Sequence, residues 1–295
     1  MNVSKTATLY KNIQQTICSI LEDADGTGKF TKDLWEKEIG SGLTCVMQNG
    51  SIIEKAGVNF SHVKGDFNEN MGHLLGEKAS KFEATGISSI LHSSNPFVPT
   101  IHTNVRHFSL DNGSSWFGGG IDLTPMYINT DEARWFHQTL KDICDKYDAS
   151  FYPVWKNWAD DYFYIEHRQE TRGIGGIFFD RVTVHHESDY EKMLNLTSDL
   201  ANVYPVIYSE LMKNNGHRSF TEAEKHWQKI RRGRYVEFNL IYDRGTKFGL
   251  ESDGNTESIL VSLPAEVEWV YQYQPVPGSA EAKTLELLKK GIDWV

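Results

Sequence analysis

The chain has 295 residues, 39% of them hydrophobic and 24% charged, and a formal net charge of −10. That length suits one large domain or two small ones with an ample core, and the acidic balance argues against a nucleic-acid surface. No run of about 18 apolar residues offers a membrane span, and Cys18, Cys45 and Cys144 are too scattered for a disulfide framework or a CxxC metal site.

In chain order, Leu9, Ile13, Ile17, Ile20 and Leu21 recur at helical spacing, and Asp25-Gly26-Thr27-Gly28 ends that helix. Strands are predicted over 42–48, 51–65 and 86–92. Residues 98–110 and 115–124 read as a hairpin, because Asn112-Gly113 accepts positive φ at low cost. Thr130 reads as a helix cap, with Asp131 and Glu132 in the first turn and a stripe of Ala133, Phe136, Leu140, Ile143 and Tyr147. Trp155, Trp158, Tyr162 and Ile165 mark one helical face that would carry His167 and Arg168 near its C-terminal end. Gly173, Gly175 and Gly176 then break the helix, and Ile177-Phe178-Phe179 reads as a buried strand. A long stripe from Met193 to Leu211 contains Pro205, an expected kink. Thr221 and Glu224 form a capping box that opens a short helix ending near Gly233. Strands are predicted again at 234–243, 257–263 and 266–273, and a helix over 280–290. Strands in consecutive groups with short turns imply an α+β fold, an antiparallel sheet with helices packed on its faces.

Side chains alternate faces along a strand. His102, Asn104 and Arg106 therefore share one face of strand 98–108, and Ser88, Ile90 and His92 share one face of the strand before it. If that face lines a cleft, it offers a proton donor, an amide and a fork for carboxylates; if it faces bulk solvent, it is a plain polar surface. Gly118-Gly119-Gly120 in the next strand marks a bulge, a bend or a ligand lying against backbone. An ideal two-residue turn would set Asp122 opposite Thr103. A one-residue bulge in the glycine run would instead bring Asp122 onto the His102 face, and that bulge is the expectation. His92, His102, His137 and His167 lack compact metal-ligand spacing. No dinucleotide-binding glycine fingerprint, P-loop or haem-attachment motif is present. The N-terminal segment has neither a long apolar core nor an Arg-rich, acid-poor stretch, so a reducing, cytoplasmic location is expected.

Residues 155–180, WKNWADDYFYIEHRQETRGIGGIFFD, closely resemble the signature segment of the oxygen-dependent coproporphyrinogen III oxidases of haem biosynthesis. The shared positions are Lys156, Trp158, Tyr162-Phe163-Tyr164, His167-Arg168, Glu170, Arg172-Gly173, Gly175-Gly176 and Phe178-Phe179-Asp180; the family's usual Cys is Ala159 here. The resemblance extends over 86–137, 231–263 and the C-terminal region. It implies one domain over 1–295, with a large, rather flat antiparallel sheet flanked by helices on both faces, and a homodimer with contacts within 235–270. It implies coproporphyrinogen III as substrate and aerobic oxidative decarboxylation of two propionates to vinyl groups, with dioxygen consumed and carbon dioxide and hydrogen peroxide released. It implies that no cofactor is required; the four histidines match positions sometimes assigned to a divalent metal. His102 matches a proton donor and Asp122 an aspartate beneath the tetrapyrrole. Ser88 and Asn104-Val105-Arg106 match substrate contacts. A further contact turn falls on Asp253-Gly254-Asn255, with Asn255 in place of the family's arginine, and Asp243 with Arg244 offers charge nearby. The alternatives are a histidine-ligated metal oxygenase and a non-catalytic tetrapyrrole binder.

Overall fold

In a computed structural model that describes residues 2–67, 72, 76–251 and 255–295, the chain opens with helix α1 (Val3–Asp25). Asn2 caps it by accepting from Lys5 N at 3.0 Å. Strands β1 (Thr31–Lys37), β2 (Gly40–Gln48), β3 (Ile53–Asp66), β4 (Lys81–Ser93), β5 (Thr100–Leu110) and β6 (Ser115–Thr124) follow. Helices α2 (Thr130–Asp145) and α3 (Phe151–Tyr162) lead to a small ribbon of β7 (Tyr164–Ile165) and β8 (Glu170–Thr171), and then to β9 (Gly176–Thr183). After β9 come α4 (Glu187–Asn215), α5 (Glu222–Ile241), α6 (Arg244–Glu251), α7 (Thr256–Leu260) and α8 (Ala280–Leu287).

Among the described residues, seven strands form one antiparallel sheet in the order β1-β2-β3-β4-β5-β6-β9. Its period-two alternation separates two faces. Cys45, Val58, Ile87, Val105, Ile121 and Phe179 lie on one face and pack into the main core with Tyr10, Ile17 and Leu21 of α1 and with Leu200, Tyr204 and Leu211 of α4. Helices α5 and α7 lie on the opposite face. Ser258 of α7 meets Thr44 at 2.6 Å, its carbonyl accepts from Asn59, and Tyr235 of α5 sits edge-on to His92. The expected α+β sheet with helices on both faces is thus present.

Several elements differ from expectation. Residues 234–241 continue α5 instead of forming a strand. Gly233 does not end the helix; it lets the Glu268 carbonyl approach, because a Cβ there would sit 2.9 Å from that oxygen. Residues 256–260 are helical and 266–273 form no regular element. Helix α3 ends at Tyr162, so His167 lies in a 3₁₀ turn, Glu166–Arg168, and not on α3. Asn129, not Thr130, caps α2, accepting from Asp131 N and Glu132 N. Helix α4 runs through Pro205 without ending. Strand β1, an exposed edge, carries no clear alternation and went unpredicted.

The approach of β9 to β6 depends on Gly176, whose φ is 153° and whose Cβ, were there one, would meet the Ile121 carbonyl oxygen. Gly176→Ala therefore combines backbone strain with overpacking and is expected to cost about 3 kcal/mol or more, measured as a lowered urea midpoint.

Candidate active site

Strand β5 pairs with β6 so that His102 faces Asp122, Asn104 faces Gly120 and Arg106 faces Gly118. Asp122 is on the expected face, but for a different reason. The pairing is even along the whole glycine run, and the extra residue sits in the turn. Leu110 N donates to the Ser114 carbonyl across a three-residue loop, with Gly113 at φ 93°. A register shift does occur on the other side of β6, where β9 carries the extra residue near Asp180-Arg181, opposite Gly118.

The same registers extend sideways. One row runs Thr44, Asn59, Ser88, Asn104, Gly120, Phe178; the next runs Gly57, Ile90, His102, Asp122, Gly176; a third runs Ser61, Gly86, Arg106, Gly118. The centre of this face is a floor with small residues at Gly86, Ser88, Gly118 and Gly120: Ser88 is exposed, Gly86, Asn104 and Arg106 are partly so, and Gly118 and Gly120 are buried. Gly118 makes room for Arg106 to reach across the strand to Asp180 at 2.8 Å; a Cβ there would lie 2.8 Å from both Arg106 Nε and Asp180 Oδ1. Asp122 and Arg106 are four residues apart along the strand direction, roughly 13 Å at about 3.3 Å per residue.

At the inner end of the floor, Asp122 is 3% exposed. Its Oδ1 accepts from His102 Nδ1 at 2.9 Å, and its Oδ2 pairs with Arg172. A carboxylate only accepts, so Nδ1 of His102 carries the proton and Nε2 is the basic nitrogen. Burial pushes the Asp122 pKa upward, but the Arg172 charge and the His102 hydrogen bond outweigh it and hold the carboxyl below its ordinary range. Arg172 went unassigned at the sequence level. Its signal is the Gly-Ile-Gly-Gly run after it: Ile174 N donates to the Leu123 carbonyl and Leu123 N to Gly175, which lays this segment against β6 beside Asp122.

The other candidate residues are spread around the floor. The Val105 side chain points into the helix-packed core, 1% exposed, so Val105 meets a ligand only through main-chain atoms. Asp243 accepts from Tyr162 at 2.8 Å and caps the start of α6 through Thr246 N at 2.7 Å. Tyr162 stacks at 4.0 Å on Phe178, the strand partner of Gly120, and the exposed Arg244 guanidinium lies 5.9 Å from the Tyr162 ring. Asn255 caps α7 by accepting from Ser258 N at 3.3 Å. Asp253 and Gly254 lie outside the described residues.

The four histidines do not converge. His92, pushed down to about 3 by burial and the nearby Arg232, bonds Thr100 at 3.1 Å and the Ser262 carbonyl at 2.9 Å. His137, pushed down to about 4 by burial, bonds Tyr152 and the Ile174 carbonyl, both at 3.0 Å. His167 bonds Tyr242 and Glu237 at 2.8 Å, and with Arg168 it forms an exposed knot on Glu237. Among the described residues, no group of three His, Cys, Asp or Glu side chains is arranged to hold a metal ion.

Comparison with known proteins bears on this arrangement. The family model described as coproporphyrinogen III oxidase matches residues 5–294. The mitochondrial oxygen-dependent coproporphyrinogen-III oxidase of Rattus norvegicus is 44% identical over 307 residues, spanning 99% of this chain and 69% of the relative. The oxygen-dependent coproporphyrinogen-III oxidase of Drosophila melanogaster is 46% identical, spanning 97% and 77%. The chloroplastic coproporphyrinogen-III oxidase 1 of Arabidopsis thaliana is 42% identical, spanning 98% and 78%.

Proposed function

The chain belongs to the coproporphyrinogen III oxidase family, and from that premise we propose that it converts coproporphyrinogen III to protoporphyrinogen IX in haem biosynthesis by aerobic oxidative decarboxylation. In each of two cycles a –CH2–CH2–COO⁻ side chain gives a vinyl group and carbon dioxide and releases two electrons and one proton; these, with one further proton taken up from solvent, reduce dioxygen to hydrogen peroxide.

The observation that carries this reading is the ionised Asp122, buried between Arg172 and His102 at the edge of a small-residue floor that is exposed at Ser88. A reduced tetrapyrrole is electron-rich, and more so when a pyrrole N–H is drawn towards an anion. Each Asp122 oxygen keeps a second lone pair for such an N–H. With its pKa held down, Asp122 polarises the N–H as a fixed charge instead of removing the proton outright. His102, with Nε2 unpartnered among the described residues, is the group that moves a proton. The ring itself then reduces dioxygen, with no cofactor required. Ser88 and Asn104 contact the macrocycle, and Arg106 exchanges Asp180 for a propionate.

The test is oxygen uptake with coproporphyrinogen III by metal-stripped protein. Stoichiometric uptake with carbon dioxide release supports the proposal; activity restored only by added metal favours the oxygenase alternative, and binding without uptake favours a carrier. Arg106→Ala is expected to raise KM on the order of tenfold, about 1.4 kcal/mol, with a smaller change in kcat, because Arg106 is partly solvated.

The homodimer belongs to the same proposal. Leu240, Ile241, Leu250 and Trp269 expose apolar side chains within the 235–270 region, whose described residues are helical or irregular and form no strand. A monomeric mass by light scattering would oppose it. A cytoplasmic location is proposed from the three free, buried cysteines; relatives carry mitochondrial and chloroplastic names. No described helix is long and apolar enough to cross a membrane.

A further inference from the structure

Strand pairing alone does not hold the Asp122 carboxylate. Its second oxygen is taken by a side chain from the loop between β8 and β9, and we infer that Arg172 is a positioning residue: a fixed, buried counter-charge that sets the direction in which Asp122 presents its carboxylate to the substrate. This inference rests on the function proposed above.

Arg172 is 3% exposed, buried as deeply as Asp122. Its fork is divided between two acceptors. Nη2 pairs with Asp122 Oδ2, and Nη1 donates to Asn239 Oδ1 of α5 at 2.9 Å. Three rings surround the guanidinium, with centroids at 4.4 Å for Phe163, 4.7 Å for Tyr235 and 4.7 Å for Phe238. Cation–π attraction and planar packing fix its plane. Nε is left without a hydrogen-bond partner, so this geometry is kept despite an unmet donor.

The loop beneath is equally constrained. Arg172 N donates to the Phe163 carbonyl at 2.8 Å, and two backbone bonds tie residues 174 and 175 to Leu123, next to Asp122. A Cβ at Gly173 would strike the Leu123 carbonyl, so this approach requires glycine. His102 on Oδ1 and Arg172 on Oδ2 together stop the carboxyl group from rotating about its Cβ–Cγ bond. A buried ion pair is often no more stable than an apolar replacement, so stability alone does not account for this one.

The test compares Arg172→Ala and Arg172→Lys with the parent in steady-state oxygen uptake with coproporphyrinogen III. The alanine variant is expected to lose about 100-fold or more in kcat, with KM within about threefold of the parent. Millimolar guanidinium is expected to restore about tenfold of that loss, and urea, of the same shape but uncharged, to restore none. The lysine variant keeps a cation without the fork and is expected to fall at least about tenfold in kcat. A kcat within about twofold of the parent in either variant overturns the inference. So does a raised KM with unchanged kcat, or rescue by urea as good as that by guanidinium. Should the alanine variant fail to fold by circular dichroism, the lysine variant decides by the same criterion. An inactive parent overturns the proposed function instead, so the two failures are distinguishable.

Discussion

Asp122→Asn is expected to lower kcat on the order of 10³-fold or more while leaving the fold cooperative. The amide is nearly isosteric but offers one acceptor oxygen where the carboxylate offers two. Arg172 only donates, so it must take that oxygen, and the NH2 then faces His102 Nδ1 at the position now 2.9 Å away. His102 is forced into the opposite tautomer, with Nδ1 accepting and Nε2 protonated. One substitution thereby removes the fixed negative charge and reverses the proton-carrying role of the histidine. Stability is expected to fall by about 1–3 kcal/mol, because the Arg172 charge is left buried against a neutral partner. Oxygen uptake within about tenfold of the parent would remove Asp122 from the mechanism.

The second large effect is on stability and lies far from the floor. Asp25, the last residue of α1, is 5% exposed and accepts from Gly28 N at 2.7 Å, Ser51 N at 2.8 Å, Ile52 N at 2.9 Å and Ile53 N at 2.8 Å. It ties the end of α1 to the turn between β2 and β3. Burial pushes its pKa up, but the four backbone N–H groups outweigh this and hold it well below the usual carboxylate range. A depressed folded pKa means stability that is present above the unfolded value, near 3.9, and lost as pH falls through the folded one. Asp25→Ala is expected to cost about 2–4 kcal/mol at neutral pH. The gap from the parent should narrow steadily below about pH 4. Equal urea midpoints at pH 7, or a gap that widens in acid, would contradict this.

The sheet, its central hairpin and the polar face of β5 were legible because period-two alternation and an Asn-Gly turn are local signals. The placement of Asp122 beside His102 was anticipated, yet the mechanism was a longer turn at 111–113 and not a bulge at the glycines. Residues 234–241 read as a strand because Val236, Phe238 and Leu240 recur at every second position. Their burial instead follows a helix already begun by the Thr221–Glu224 box. Arg172 and Asp180 are invisible as site residues, since each meets its partner, Asp122 or Arg106, from fifty or more positions away, a contact that no local pattern records. Val105 shows the reverse limit, a position assigned through likeness whose side chain belongs to the core.

The floor built from Gly86, Ser88, Gly118 and Gly120 has a consequence for mutational tolerance. Solvent-facing positions ordinarily accept many residues, and interiors accept few. Here a saturation screen scored by turnover is expected to invert that order at Ser88: Ile87 and Ile121, inside the core, should accept other aliphatic residues, whereas a bulky side chain at the exposed Ser88 would stand up from the sheet into the space the proposed function gives to the macrocycle.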